Sequence, residues 1–598
     1  MEYVAHILIF ACIFAILTAS YNLLIGYSGL FSIAHAAFYG IGAYAMALST
    51  TGRNLLFTAP WPIWAGLLLA VAVSAASGIV IALPALRVNS DYLVVLSFGF
   101  QMVVLGVFMN WIEVTGGEGG VAGVPRPSLA GLTPQTPEQF LPYAVLLTAV
   151  SFLAIWRVTA SPLGRMLRAM REDQVAAASL GKDVVRAKIV IFCFAGGLAG
   201  LAGTIFAHYV RVVDPSSFRL PVSIEILAML ILGGTANLLG SFVGAFTLTV
   251  LPEALRFLNI GETVAEQLRQ IAFGLMLIVI LRFRPQGLLP EGWLPGWLRR
   301  RQERDVAAEL AELKAQAAAG LPHSGRPPQA AGPPRRAAGS RLEPEADGVL
   351  MRVEGVSKSF GGLQALSDFS TTLEAGRITS LIGPNGAGKT TAFNLITGFL
   401  APDSGSVRLG GRNITRLPAH RMAGLGVARS FQNLRLFTNL SVLDNVRVAV
   451  PGQAGERLWY TLFRPRATMS EGRRTTRRAL AILAFVGLQE RALETAENLS
   501  YAEEKLLALA RMLALDADLL LLDEPGSGLD PASLEAMFRM IRALAREGKT
   551  VCIIEHNLDV IRDLSDKVVF LDEGRAVAEG PPAEILKNRE LVERYFGT

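Results

Sequence analysis

Between residues 4 and 283 the chain returns nine times to an apolar run of roughly bilayer-crossing length. Inside hydrocarbon every backbone N–H and C=O must be satisfied from within the segment, so runs of this length read as helices. They fall at roughly 4–24, 29–50, 62–86, 91–111, 143–158, 187–208, 223–240, 241–257 and 267–283. Gly233-Gly234-Thr235-Ala236-Asn237 interrupts the seventh and eighth, which read as two spans or as one broken helix and a span. The first run, from Val4, has no basic leader and no small-residue cleavage site, so it reads as a retained helix.

Loop charge sets the orientation. Arg157, Arg165, Arg168, Arg171, Lys182 and Arg186 lie between the fifth and sixth runs, and Arg282, Arg284, Arg299, Arg300 and Arg301 follow the ninth. Such clusters mark cytosolic loops. The connection after the fourth run carries Glu113, Glu118 and Glu138 against Arg126 and reads as external. An odd number of spans puts the N-terminus outside and the C-terminal half in the cytosol. The net charge of +6 gathers in these loops and in the linker, so it argues topology, not nucleic-acid binding. Cys12, Cys193 and Cys552 are too scattered for a disulfide framework or a metal site.

Polar residues inside apolar runs are candidates for a transport path. His35 is one, with a hydrogen-bonded interhelical histidine as the alternative; Glu225 is another, with a solvated interfacial carboxylate as the alternative. Gly26, Gly29, Gly40 and Gly42 suit close helix approach. In the loop Ser161–Asp183, Leu163, Met166, Leu167 and Met170 share one helical face, and Gly181 reads as a terminator. This amphipathic helix is expected to dock in a groove of another domain; lying on anionic lipid is the alternative.

After residue 298 the composition changes. Gln302–Ala319 reads as a helix, and Leu321–Gly348, rich in Pro, Gly, Ala and Arg, reads as a disordered tether. Three regions follow: a membrane domain over 1–298, a linker over 299–348 and a cytosolic domain over 349–598.

The cytosolic domain carries Gly383-Pro384-Asn385-Gly386-Ala387-Gly388-Lys389-Thr390, between a buried strand Ile378–Ile382 and a helix opening at Thr391. Glycines let successive N–H groups converge on one anion, and the helix N-terminus adds its dipole. Lys389 suits the β- and γ-phosphates of ATP, and the Thr390 hydroxyl suits Mg²⁺. Downstream, the buried run Leu519–Leu522 ends in Asp523-Glu524. Asp523 suits the Mg²⁺ shell, and Glu524 suits polarising an attacking water. Val551–Ile554 is another strand, followed by Glu555-His556, and His556 suits the γ-phosphate and the water. Gln432 suits Mg²⁺ and sensing of a neighbouring domain, while Phe360, ahead of the first strand pair, suits stacking on adenine.

With these stations in order, residues 351–598 resemble an ABC-transporter ATPase. Residues 1–290 resemble the branched-chain amino acid permease, through Asn22–Tyr44, Thr115–Gly120, Ser161–Gly181, Leu232–Leu239 and Arg282–Leu288. Val356–Leu363 and Ile585–Gly597 resemble the ATPase of the same subfamily. The resemblance implies a polytopic α-helical membrane domain followed by an α/β P-loop ATPase with a helical subdomain, joined in one chain. It also implies ATP-driven import of hydrophobic amino acids across the cytoplasmic membrane. A carrier of urea, short amides or another small solute is the alternative, and an ATP-gated channel or membrane-anchored regulatory ATPase is a third reading. Ser500, and with it Asp530, joins the implied nucleotide set, and Thr391 closes the phosphate loop. The implied partners are a second permease, a second ATPase, an external solute-binding protein and membrane lipid. One departure stands out. The family's Leu-Ser-Gly-Gly-Gln signature reads Leu499-Ser500-Tyr501-Ala502-Glu503 here, and the Ala502 Cβ is expected to crowd the opposing phosphate.

Overall fold

The computed structural model describes residues 2–52, 56–86, 90–127, 133–256, 274–275, 278–279, 282–293, 296–318 and 342–588. Most of the ninth apolar run, most of the tether and the C-terminal residues beyond 588 lie outside them. The chain divides into two compact units. The first comprises Met1–Arg171, Val184–Leu298 and Glu456–Pro465; the second comprises Glu172–Asp183, Arg299–Gly455 and Arg466–Thr598.

The first unit is helical: α1 (Glu2–Asn22), α2 (His35–Thr51), α3 (Ile63–Ala85), α4 (Ser90–Asn110), α5 (Ile112–Thr115), α6 (Pro137–Thr159) and α7 (Pro162–Glu172), then, beyond α8 of the second unit (Gln174–Ser179), α9 (Val184–Val210), α10 (Leu220–Gly233) and α11 (Leu238–Arg256). The strands β1 (Val121–Ala122) and β2 (Val212–Val213) pair antiparallel. Among the described residues five helical segments are long and apolar enough to cross a membrane: Glu2–Tyr27, Ile63–Ala85, Asp91–Asn110, Pro137–Thr159 and Val184–Val210.

Two boundaries differ from those expected. The second helix begins at His35, not residue 29, because α1 closes in a π turn, Leu23–Tyr27, and Gly29 takes φ +68°. The boundary between the seventh and eighth runs falls at 234–237, inside the stretch Gly233–Asn237 expected to interrupt them, and not at 240–241, where the two ranges meet. Gly234 (φ 112°) and Ala236 (φ 55°) take backbone conformations that no helix continues. Asn22 secures the break: its Oδ1 accepts from the Ala236 N–H at 2.9 Å, and its Nδ2 donates to Asn237 O at 3.0 Å and Ser241 Oγ at 2.8 Å. The residues beyond Arg282 complete it, with the Leu288 and Leu289 N–H groups donating to the carbonyls of Leu232 and Gly233.

With lipid outside as apolar as the side chains themselves, such helices associate through close packing and internal hydrogen bonds. Gly42 shows why small residues are needed, since a Cβ there would lie 2.3 Å from Gly200. His35 is buried, with Nε2 2.8 Å from Ser20 Oγ and its ring stacked on Tyr21. Glu225 is exposed on α10. The apolar face of α7 is not where expected: Leu163, Met166, Leu167 and Met170 pack into the first unit's own core. The residues that join the second unit are the twelve that follow, Glu172–Asp183. An apolar face is drawn to the nearest core that can bury it, and α7 follows α6 after only two residues.

The second unit holds two sheets. β3 (Val349–Phe360), β4 (Leu363–Glu374), β6 (Ser404–Leu409) and β7 (Arg412–Asn413) form an antiparallel sheet in the order β4-β3-β6-β7. β5 (Ile378–Ile382), β8 (Val427–Arg429), β9 (Leu519–Asp523), β10 (Thr550–Ile554), β11 (Lys567–Asp572) and β12 (Arg575–Gly580) form the other, in the order β12-β11-β5-β10-β9-β8. Its strands are parallel except for the edge strand β12. Every residue of β5, β9 and β10 is buried, each large side chain contributing about 1.5–3 kcal/mol. The helices of this unit include α12 (Gly296–Ala318), α13 (Lys389–Ile396), α14 (Ala419–Leu425), α15 (Val442–Ala449), α16 (Pro465–Val486), α17 (Tyr501–Ala514) and α18 (Pro531–Arg546). α12 covers residues 302–318 of the linker helix expected over 302–319, and Arg477 of α16 clamps its Glu309 and Glu312, each at 2.9 Å.

Candidate functional site

Register brings the site together. Ile554 pairs with Asp523 of β9 and with Leu381 of β5, so these three strands end at one level. What leaves those ends — Gly383 onward, Asp523-Glu524, Glu555-His556 — must therefore converge, as ligand-binding groups do in open parallel sheets.

The phosphate loop turns through three left-handed glycines, Gly383 (φ 149°), Gly386 (φ 86°) and Gly388 (φ 101°). A Cβ on Gly383 would meet Leu571 O at 1.9 Å, so the loop admits no side chain there. Helix α13 opens at Lys389, two residues earlier than expected, and Gly388 serves as N-cap with no side-chain cap bond. Lys389 Nζ donates to the carbonyls of Gly383 (2.6 Å) and Pro384 (2.9 Å). Burial lowers its pKa, opposed by the charges of Glu524 and Asp523.

Asp523 is buried, and its Oδ2 has no hydrogen-bond partner among the described residues. Burial raises its pKa, against the pull of Arg429. Arg429 Nη2 stands 3.8 Å from that oxygen. It is held by Asn394 Oδ1 (2.6 Å) and Thr397 Oγ1 (3.1 Å) and lies against the rings of Phe393, Phe399 and Phe431. Burial pushes its own pKa down to about 10. An orphaned carboxylate oxygen beside a phosphate-binding loop is what a divalent cation's ligand looks like, so the residues fit the ion.

Glu524 takes φ +49°, and its N–H donates to Ile554 O at 2.9 Å. Its Oε1 lies 2.9 Å from His556 Nε2 and accepts from Gln432 Nε2 at 3.3 Å. Three predicted residues thus meet on one oxygen. Lys505 of α17 donates to the carbonyls of Glu524 (2.8 Å) and Pro525 (3.1 Å), and Glu555 Oε1 accepts from Gly526 N–H at 2.8 Å. Burial lowers the Lys505 pKa and raises that of Glu555. The backbone around the water-polarising candidate is therefore held from two sides.

Other predicted residues lie apart from this cluster. Phe360 ends β3, not ahead of it, opposite Leu363 at the hairpin tip; it is exposed, with Lys358 Nζ 5.8 Å from its ring. Asp530 caps α18, accepting from the N–H groups of Ala532 and Ser533 at 3.1 Å. Ser500 caps α17 in a capping box: its N–H and Oγ both donate to Glu503 Oε2 at 2.9 Å, and the Glu503 N–H returns to Ser500 Oγ at 3.4 Å.

Sequence reasoning missed Arg429, Arg435, Lys505 and Arg511. Arg429, Lys505 and Arg511 had a signal, since a cation at a buried position in an apolar run or face must find a partner; Arg435, exposed in a loop, had none. Arg435, three residues past Gln432, reaches Asp173 Oδ2 at 2.8 Å within the second unit, and the Asn439 N–H donates to Glu172 Oε2 at 3.2 Å. Arg511 stacks on Phe437 and donates to Arg435 O at 2.9 Å; burial pushes its pKa down to about 10 against the charges of Asp173 and Glu172. The segment Glu172–Asp183 is thus wired to the strand-to-helix stretch that carries Gln432.

Residues 3–281 match the family described as the branched-chain amino acid transport system permease component, and residues 366–527 match the ABC transporter family. Over 249 residues, 42% of this chain and 98% of the relative, the chain is 36% identical to the high-affinity branched-chain amino acid transport ATP-binding protein LivG of Salmonella typhimurium. It is equally identical, over the same shares, to BraF of Pseudomonas aeruginosa, which has the same description. Over 301 residues, 46% of this chain and 68% of the relative, it is 34% identical to the permease protein LivM of the Salmonella system.

Proposed function

The chain belongs to the branched-chain amino acid ABC transport family, as a multi-pass membrane permease domain and an ATP-binding, ATP-hydrolysing domain in one polypeptide, and on that premise we propose that it imports branched-chain amino acids across the cytoplasmic membrane. The permease domain is assigned to 1–298, the linker to 299–348 and the cytosolic ATPase domain to 349–598. The observation that carries the catalytic half is the meeting of Gln432 and His556 on Glu524 Oε1, at the strand end next to the phosphate loop.

In this reading the loop Gly383–Thr391 and Lys389 hold the ATP phosphates, and Phe360 stacks on the base. Glu524 takes the proton of the attacking water, with His556 and Gln432 fixing its carboxylate. Arg429 keeps Asp523 charged in a buried place. Thr390, Gln432 and Asp523 would hold Mg²⁺, which would neutralise charge on the transferred phosphoryl group. Ser500 and Asp530 serve a composite site completed by another ATPase. Glu172–Asp183, wired through Arg435 to the Gln432 stretch, carries the nucleotide state toward the membrane helices.

One chain contributes one phosphate loop and one signature, and the relatives are separate permease and ATP-binding proteins. We therefore assign it a second permease, a second ATPase and an external solute-binding protein as partners. Proteoliposomes containing the complex test the whole reading. ATP-dependent accumulation of leucine, isoleucine or valine is expected with the binding protein present and not without it. Accumulation of urea or short amides in their place would overturn the substrate, and full transport by this chain alone would overturn the assembly.

A further inference from the structure

One stretch from the ATPase half of the sequence, Glu456–Pro465, belongs to the first unit. Its helix, Leu458–Phe463, carries two side-chain pairs at i,i+4 spacing on adjacent faces. Leu458 and Leu462 pack against the first unit's core. Trp459 and Phe463 point away from it, 66% and 61% exposed, with ring centroids 4.1 Å apart.

Where this helix sits gives the exposed pair its meaning. The Leu462 carbonyl accepts from Arg157 Nη1 at 3.0 Å, and Arg157 lies in the last turn of α6. Along α6 the outward residues are Val145, Leu146, Val150, Leu153 and Trp156, the stripe a span presents to acyl chains. Trp156 ends that stripe one residue before Arg157. The Trp459–Phe463 pair is therefore seated where the lipid-facing surface of α6 ends. Arg457 and Arg464 flank it, both exposed, and Arg464 lies 5.5 Å from the Tyr460 ring. Aromatic rings on an apolar base with arginines beside them match the headgroup–acyl boundary of a bilayer, and arginines on the cytosolic side match its anionic lipid.

We infer that Leu458–Phe463 is an interfacial anchor: Trp459 and Phe463 insert at the headgroup level of the cytoplasmic leaflet beside the end of α6, and Arg457 and Arg464 contact anionic lipid phosphates. The inference rests on the membrane reading of α6 and adds a lipid contact made by a segment of the ATPase sequence. It ties a stretch just ahead of α16 to the bilayer plane without any additional span.

The test uses the complete complex in vesicles of phosphatidylcholine and phosphatidylglycerol, with a fluorescent amino acid placed in turn at Trp459, Phe463, Leu153 and Leu363. Lipids carrying a nitroxide near the headgroup should quench positions 459 and 463 about twofold and leave Leu363, exposed in the second unit, unaffected. A nitroxide deep in the acyl chain should act mainly on Leu153. Arg457→Glu with Arg464→Glu should weaken quenching at 459 in anionic vesicles and leave it unchanged in purely zwitterionic ones. Quenching at Leu153 with none at 459 overturns the anchor and leaves the membrane reading standing; no quenching at either overturns both. Headgroup quenching at 459 in this chain alone but not in the complete complex assigns the surface to protein and overturns the lipid contact.

Discussion

Helix α13 opens at Gly388 with no side-chain cap, whereas α17 opens at Ser500 inside a complete capping box. Both helix ends are assigned to phosphate. The first leaves its N-terminal N–H groups and dipole free to meet an anion. At the second, the Glu503 carboxylate already takes the Ser500 N–H and hydroxyl, the groups a phosphate would use. The difference teaches that a signature serine can be present and yet be engaged by its own helix. The fifth signature position, Glu503, then matters as much as Ala502, the departure most visible in the sequence.

The largest effect is expected at the open end. Glu524→Gln keeps the shape and the contacts to Gln432 and His556 but loses the base, so ATP turnover by the complex should fall about 10²–10⁴-fold while nucleotide binding persists. Steady hydrolysis near the wild-type rate would remove Glu524 from its role and, with it, the contrast between the two ends.

Next is Arg429→Met. It leaves the Asp523 carboxylate buried without its counter-charge, for which the cost is about 3 kcal/mol or more. The second unit's thermal transition should drop clearly, and Asp523→Asn in the same chain should recover most of the loss. A drop unaffected by the second change would mean that Arg429 matters for packing its three phenylalanines and not for the carboxylate.

Much of the second unit was legible because its chemistry is contiguous. β5 and β9 run where their apolar blocks run, and each hands its motif directly to the next residues. Arg429 and Lys505 were not read as part of the site, although a cation in the apolar run Val427–Arg429 calls for a buried carboxylate. The first unit was legible in its helices and opaque in its polar joints. Asn22 meets Ala236 and Ser241 across 214 and 219 residues, and no local pattern announces such a pair. The apolar face of α7 was correctly spaced but wrongly addressed, because periodicity says that a face is buried and not against what. Whether a capping box sits at a signature is likewise a matter of side-chain geometry.

A smaller effect should come from opening the second end. Glu503→Gln removes the charge from the capping box, and Ala502→Gly removes the Cβ. If the self-cap limits the composite site, turnover by the complex should rise severalfold, more for Glu503→Gln than for Ala502→Gly, since only the first weakens the hydrogen bonds that hold Ser500, an amide oxygen accepting less strongly than a carboxylate. Equal turnover in both variants and wild type would show that the opposing nucleotide displaces Glu503 without cost.

The smallest effect is a pH dependence that isolates the same bond. Hydrogen bonds from the Ser500 N–H and hydroxyl hold the Glu503 pKa below its ordinary 4.5, with Arg491 adding to the shift. A carboxyl lowered in the folded state contributes stability that is present above its unfolded pKa and is lost as pH falls through the folded value. Glu503 is partly exposed, with 26% of its side chain accessible, and its bonds are those of a helix cap, so the contribution is about 1 kcal/mol at most. The melting temperature of wild type should therefore exceed that of Glu503→Gln slightly at pH 7, and the gap should close as pH falls below 4.5. A gap that stays constant with pH would mean that the carboxylate charge plays no part in the cap. The contrast between the two helix ends would then rest on the side chain's shape, which glutamine shares, and Glu503→Gln would lose its power to open the site.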